Sequence, residues 1–311
     1  MKIVVVGPGA LGLLFSAYLT KSAEKSRGRD EIILLDHRPE RADFLTENGV
    51  ILHRLDGRSE RVGVKVVARQ AETLVGARPG CVLLCVKSMA LSAALRMYPE
   101  LFAAARLTVF IQNGVSHLEL AARAAFAPAF ASTTEGANSP AVGEARHAGR
   151  GLTYFGFVDQ ENNHDLTLIS PIVQYFSEAG LAAESRLDMR ERIWHKLMIN
   201  VGINALTAVH NCPNGDVPRH PELRARMAAL VAEARLVALA QGIQVTANVF
   251  DDVLAVCRAT EANISSMLQD VRAGRPTEIE AMNGAIVRIG EQLGIATPAN
   301  AAITKQVRAL V

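Results

Sequence analysis

The chain has 311 residues, 50% hydrophobic and 21% charged, a balance that suits a packed globular protein and excludes a disordered chain. Its 33 basic and 31 acidic side chains leave a net charge of +2, without the dense basic stripe of a nucleic-acid-binding surface. No stretch of about 20 uninterrupted apolar residues is present, so no membrane-spanning helix is expected.

The N-terminal run MKIVVVGPGALGLLFSAYL sets Lys2 before apolar residues, as a secretory signal does. Gly7, Pro8, Gly9 and Gly12 divide it into a strand-sized and a helix-sized piece, which argues against a signal. Residues 3–6, 32–35, 82–86 and 109–111 read as buried parallel strands, and 10–21, 39–48, 89–98 and 116–126 carry helical spacing. Such alternation predicts a doubly wound α/β sheet. A hairpin inserted in that sheet is expected from 50–55 and 61–67 around Asp56-Gly57. The stretch 129–156, with turns at Gly143, Gly149 and Gly151, is expected to extend the sheet.

From about Leu187 the pattern becomes all-helical, with helices predicted over 188–210, 221–241, 248–273 and 277–293. Breaks fall at Cys212-Pro213-Asn214-Gly215, at Gly242 and at Gly274-Arg275-Pro276. The expected organisation is an α/β domain over 1–186 and an all-α domain over 187–311, with a cleft between them. The Ala-rich 221–241 segment is compatible with a homodimer, although core packing against its neighbours is the preferred reading. Cys81, Cys85, Cys212 and Cys257 match no zinc or redox spacing; they read as buried thiols, and a reducing, cytoplasmic setting is expected. No metal site is indicated.

Gly7-Pro8-Gly9-Ala10-Leu11-Gly12 is a G-x-G-x-x-G string that follows a Val-rich strand and opens a helix, the context a dinucleotide fingerprint requires. The first Gly permits a tight turn, the second lets the backbone approach a pyrophosphate, and the third allows close packing of helix on strand. The first domain is therefore expected to be Rossmann-like. The second strand ends Leu35-Asp36-His37-Arg38. An acid there favours NAD through the ribose 2′-hydroxyl, whereas Arg38 and Lys87, at the carboxyl edge of the sheet, favour NADP.

In the apolar segment 193–204, Lys196, Asn200 and Asn204 recur every four residues and share one helix face. A lysine and two asparagines aligned on an apolar helix suggest the wall of a polar cleft, although a partly exposed helix would show the same spacing. His195 points about 100° away around the helix and reads as structural. Asn263 and Ser266 are expected on one helix, with Asp270 a turn further on. Thr277 and Glu280 have capping-box spacing, which would place Glu278 in a first helical turn. Hydride addition to a ketone leaves negative charge on oxygen, and a lysine ammonium supplies both the proton and the compensating charge.

Taken together, the glycine loop, Ile111-Gln112-Asn113-Gly114, the stretch 194–215 ending Asn211-Cys212-Pro213-Asn214-Gly215, the block 261–270 and Thr277-Glu278-Ile279-Glu280 resemble the ketopantoate reductase (2-dehydropantoate 2-reductase) family. That family belongs to a larger class whose helical domain is like that of 6-phosphogluconate dehydrogenase. The resemblance covers nearly the whole chain. It implies that Lys196 is the general acid and that Glu278 binds the substrate hydroxyl and helps position the lysine. It also implies that Asn200, Asn204, Asn263 and Ser266 contact the substrate, that Asn214 lies at the cleft rim and that Asn113 lies beside the nicotinamide ribose.

One departure is that Asp36-His37 stands where the family commonly has an arginine directly after the second strand, so Arg38 would act from a shifted position. The implied reaction is NADPH-dependent reduction of ketopantoate to pantoate in coenzyme A biosynthesis, with NAD kept open by Asp36. The alternatives are a reductase of another small branched 2-oxo acid and a non-catalytic NAD(P)-sensing protein.

Overall fold

The structure is a computed structural model that describes residues 1–26, 29–68, 74–76, 78–126, 128–158 and 166–311. The chain forms two compact units, one of Met1–Gln112 with Leu120–Met189 and the other of Asn113–Glu119 with Arg190–Val311. The second unit thus includes a short stretch that the single boundary at 186 assigns to the first.

The first unit is built on an eight-stranded sheet of β1 (Lys2–Val6), β2 (Glu31–Asp36), β5 (Lys65–Ala68), β6 (Cys81–Leu84), β7 (Thr108–Phe110), β8 (Pro128–Thr133), β11 (Thr153–Gly156) and β12 (Ala183–Arg186). The strand order is β12-β11-β8-β7-β6-β1-β2-β5. The run from β5 to β8 is parallel, β11 is antiparallel to β8, and β12 is parallel to β11. The central strands are buried along nearly their whole length, as continuous aliphatic runs covered on both faces require. Because β1 lies between β2 and β6, the chain reverses its direction of travel across the sheet there, and crevices at such points take ligands.

Two expectations about the β-rich stretches are corrected. The hairpin around Gly57 exists as β3 (Val50–His53) and β4 (Ser59–Val62), but it belongs to a second, four-stranded sheet. The stretch 61–67 does not continue one strand: β4 ends at Val62, the chain passes Gly63, and β5 joins β2 in the main sheet. Likewise 129–156 divides, with β8 and β11 in the main sheet and β9 (Gly136–Asn138) and β10 (Glu144–Gly149) beside β3.

The physical need for the second sheet lies in helix α1 (Ala10–Ala23). Leu13, Leu14, Phe15, Ala17, Tyr18 and Leu19 leave no polar face, so the helix must be covered on both sides. It packs against β2 on one side and β10 on the other. The join is polar: Tyr18 Oη hydrogen-bonds His147 Nδ1 at 2.9 Å, and His147 Nε2 meets the buried Glu135 carboxylate at 2.7 Å. Helices α2 (Pro39–Asn48), α3 (Ser88–Met97), α4 (Pro99–Ala104) and α6 (Ser170–Glu178) also belong to this unit, while α5 (Ser116–Ala121) begins in the second unit and stops short of residue 126. No sequence pattern pointed to α6; its Phe176 packs edge-on against Phe15 and Phe155, with ring centroids 5.0 and 5.1 Å apart.

The second unit is helical: α7 (Met189–His210), α8 (Asp216–Arg219), α9 (Pro221–Ala240), α10 (Val249–Ala259), α11 (Ser266–Arg272), α12 (Asn283–Leu293) and α13 (Pro298–Arg308). Gly202 lets α7 approach its neighbours closely, since a Cβ there would lie 2.9 Å from Val231 and 3.0 Å from Val253. The helix predicted over 248–273 is broken at 260–265. There the carbonyls of Glu261 and Asn263 accept hydrogen bonds at 3.0 Å from the backbone N–H groups of Gly215 and Asn214, and Ser265 starts a new helix by accepting from Leu268 N. Asn263 and Ser266 are therefore not on one helix.

The capping box at Thr277 and Glu280 does not form either. Glu280 pairs with Arg308, Thr277 Oγ1 is buried with no hydrogen-bond partner among the described residues, and α12 begins only at Asn283.

Helix α13, beyond the last predicted segment, is fastened by Glu233 of α9. Its carboxylate accepts from Ala299 N at 2.8 Å, Asn300 N at 2.9 Å and Asn300 Nδ2 at 2.8 Å, and so caps the helix N-terminus. Asn300 in turn accepts from the buried Asn283 amide at 3.0 Å. Glu233→Ala leaves these donors unsatisfied and is expected to destabilise the protein by about 1–3 kcal/mol, read as a lower urea midpoint at unchanged slope.

Candidate active site

In the first unit, the glycine loop has the form that a dinucleotide cradle needs. Gly7 adopts φ +100°, and a Cβ there would lie 2.6 Å from Val86 Cγ1. A Cβ on Gly12 would lie 2.0 Å from the Gly7 carbonyl oxygen, so helix α1 can start this close to the strand only with glycine. Gly9 is different: a Cβ there would meet only the Cys85 carbonyl, 3.9 Å away. The protein leaves that space open at the N-terminus of α1, whose first position has no side-chain cap. Pro8 is buried, Ala10 and Leu11 are half-buried and Gly9 is exposed, and the backbone N–H groups of such a helix start suit phosphate oxygens. Gln112 steadies the neighbouring strand end by donating to the carbonyls of Leu84 at 2.7 Å and Val86 at 3.0 Å.

At the end of β2 the residues are arranged in a way the sequence did not suggest. Asp36 is fully buried, and its carboxylate is gripped by both Nε and Nη2 of Arg41, the latter at 2.7 Å, and by the backbone N–H of Arg38 at 3.1 Å. The Arg38 side chain is exposed, as is Lys87 just beyond β6.

In the second unit, α7 carries Lys196 and Asn200, both half-buried, and the buried Asn204, whose amide lies against Met282 Sδ at 3.9 Å. Burial lowers the Lys196 pKa to about 8, with the opposing attraction of Glu278 too small to restore it. Glu278 accepts a hydrogen bond from Asn113 Nδ2 at 3.1 Å. The two are brought together by a backbone clamp: Val115 N donates to the Ala281 carbonyl at 3.2 Å, and Gly114, at φ +80°, passes so close that a Cβ would lie 2.0 Å from that oxygen. Lys196, Glu278 and Asn113 therefore form one neighbourhood, assembled from three separate stretches of sequence.

Sequence reasoning missed His117, which shares this neighbourhood. It is 1% exposed, and burial, followed by the Lys196 charge, lowers its pKa to about 3, so its imidazole is neutral at physiological pH. The only signal available was its spacing of four from Asn113.

The remaining polar residues lie around the break between α10 and α11. The Asn214 side chain donates to Thr260 Oγ1 at 2.9 Å, and its backbone N–H reaches the Asn263 carbonyl. Asn263 and Ser266 are exposed, on the turn and at the first position of α11. Ser265 Oγ meets Thr207 Oγ1 of α7 at 2.7 Å, which ties that turn to the helix bearing Lys196. His195 faces outward and pairs with Asp252 at 3.0 Å.

The family described as ketopantoate reductase PanE/ApbA matches residues 3–160, and its C-terminal counterpart matches 188–311. A 2-dehydropantoate 2-reductase from Vibrio cholerae serotype O1 is 32% identical over 318 residues, covering 100% of this chain and 98% of its own. The crystal structure of a PanE/ApbA family ketopantoate reductase from Ralstonia eutropha JMP134 superposes with a TM-score of 0.84 at 29% identity, over 100% of this chain and 98% of that one. D-mandelate dehydrogenase, in its ternary structure with NADH and anilino(oxo)acetate, has the same fold, with a TM-score of 0.88 at 23% identity and the same coverage. Matched over both halves and aligned along its whole length, the chain belongs to the ketopantoate reductase PanE/ApbA family of oxidoreductases.

Proposed function

We propose that the chain reduces 2-dehydropantoate to pantoate with a nicotinamide cofactor, NADPH in preference to NADH. The observation that carries the reaction is a lysine whose pKa burial has lowered to about 8, with a carboxylate beside it held by an amide. When bound, the cofactor supplies hydride to the C2 carbonyl carbon. Lys196 Nζ donates its proton to the carbonyl oxygen, and its ammonium charge stabilises the oxyanion as it forms. At neutral pH the lysine is still mostly protonated, yet it is a stronger acid than a free lysine.

Glu278, steadied by Asn113, accepts from the substrate's terminal hydroxyl. Asn200, Asn204 and Asn263 orient the substrate as neutral partners, Ser266 binds its carboxylate, and Asn214 supports the turn that carries them. Neutral His117 adds no competing cation. The preference for NADPH is supported by the exposed cations Arg38 and Lys87 beyond the strands that flank β1.

Mixing the protein with ketopantoate and following nucleotide oxidation tests the reaction directly. Oxidation of NADPH several-fold faster than NADH is expected, and a folded protein that binds a nucleotide but turns over no 2-oxo acid refutes the proposal. 3,3-Dimethyl-2-oxobutanoate, which lacks only the terminal hydroxyl, is expected to lose at least about 100-fold in kcat/KM, since the half-buried Glu278 carboxylate loses its partner.

Lys196→Ala is expected to lower kcat about 10²–10⁴-fold with the melting temperature little changed. The donor is the ammonium form, present below the lysine pKa and lost above it. Reduction is therefore expected to fall as pH rises through about 8, and this limb is expected to vanish in Lys196→Ala.

A further inference from the structure

An acid at the end of the second strand of a dinucleotide fold normally accepts a hydrogen bond from the ribose 2′-hydroxyl, and it repels a 2′-phosphate. Asp36 stands at that position, and by residue type alone it opposes the NADPH reading. Its environment reverses this. The carboxylate is fully buried and receives two donors from one guanidinium, a fork that engages both oxygens, while Arg38 N–H takes a further lone pair. Arg41 is placed for this by the start of α2, where Pro39 sets the first helical turn and brings residue 41 back over the strand end. His37 Nδ1 lies 3.7 Å from the same carboxylate. Around this point the Arg41 guanidinium, 27% exposed, faces the buried acid, while the Arg38 side chain is exposed.

We infer that Arg41 determines cofactor specificity by holding the Asp36 carboxylate inside the protein, out of reach of the ribose, so that the site admits a 2′-phosphate. Arg41 is in this sense a positioning residue: it acts through Asp36, and the phosphate is met by Arg38. The inference rests on the NADPH preference proposed above.

The test needs no substrate. Dissociation constants for NADPH and NADH are measured by nucleotide fluorescence on the full-length protein, with a thermal melt for each variant. Wild type is expected to bind NADPH more tightly. In Arg41→Met the freed carboxylate opposes the phosphate, and the preference for NADPH is expected to fall about 10- to 100-fold. In the double variant Asp36→Asn/Arg41→Met the carboxylate is gone, and most of the preference is expected to return. A folded Arg41→Met with unchanged preference overturns the inference. A double variant that keeps the full loss also overturns it, because Arg41 would then grip the phosphate itself.

Removing the partner of a buried acid can unfold a protein. Should Arg41→Met not fold, Arg41→Lys carries the same cycle, with an expected drop of about threefold or more. An unchanged preference in Arg41→Lys would overturn the inference equally. A wild-type protein that prefers NADH removes the NADPH reading itself, and that outcome is read before any variant is made.

Discussion

Moving an ammonium ion out of water costs several kcal/mol unless charge and hydrogen-bond partners are fixed nearby. Lys196 sits on a helix whose neighbouring residues, Ile193, Trp194, Leu197 and Met198, are all buried. The helical unit is organised around that penalty. Glu278 offsets part of it, and the carboxylate is itself held by Asn113. Asn113 is in place because Gly114 and Val115 lock against the Ala281 carbonyl two residues beyond Ile279. The part of the penalty left unmet appears as the lowered lysine pKa, which makes the group a better acid. Incomplete compensation and greater acidity are thus the same fact.

The α/β unit faces the complementary problem of receiving negative charge. It answers first with backbone, by bringing α1 so near to β1 and β6 that only glycine fits at two positions and leaving room at the third. That approach makes α1 a buried helix, and a buried helix needs a second cover. The sheet formed by β3, β4, β9 and β10 supplies it, with the Tyr18–His147–Glu135 chain as its polar fastening. The size of the second sheet follows from the tightness of a loop far from it in sequence.

Much of this was legible in the sequence wherever one segment carried the whole signal. The aliphatic strands, the glycine loop in its strand–helix setting and the Lys196–Asn200–Asn204 stripe are each set by local periodicity. What escaped depends on partners distant in sequence. The helix break at 260–265 is hidden because apolar spacing continues on both sides, and what interrupts it is pairing with Asn214 and Gly215. The pairing of β3 with β10 joins residues about ninety positions apart, and no pattern within either strand announces it. Thr277 and Glu280 had the right spacing for a cap, but Arg308, on a helix that was not anticipated, claims Glu280. Asp36 had a legible position, and its occupation by Arg41 changes what that position means.

The excursion of Asn113–Glu119 into the helical unit bears on how such proteins can be recombined. A gene cut once near residue 187 would give a C-terminal fragment without the amide that meets Glu278 and without the loop that seals against Ala281. The two units look like interchangeable cassettes on a linear map, yet the second is completed by a thread from the middle of the first. Exchange between relatives would therefore have to carry both pieces at once, which ties the inheritance of the helical unit to that of the α/β one.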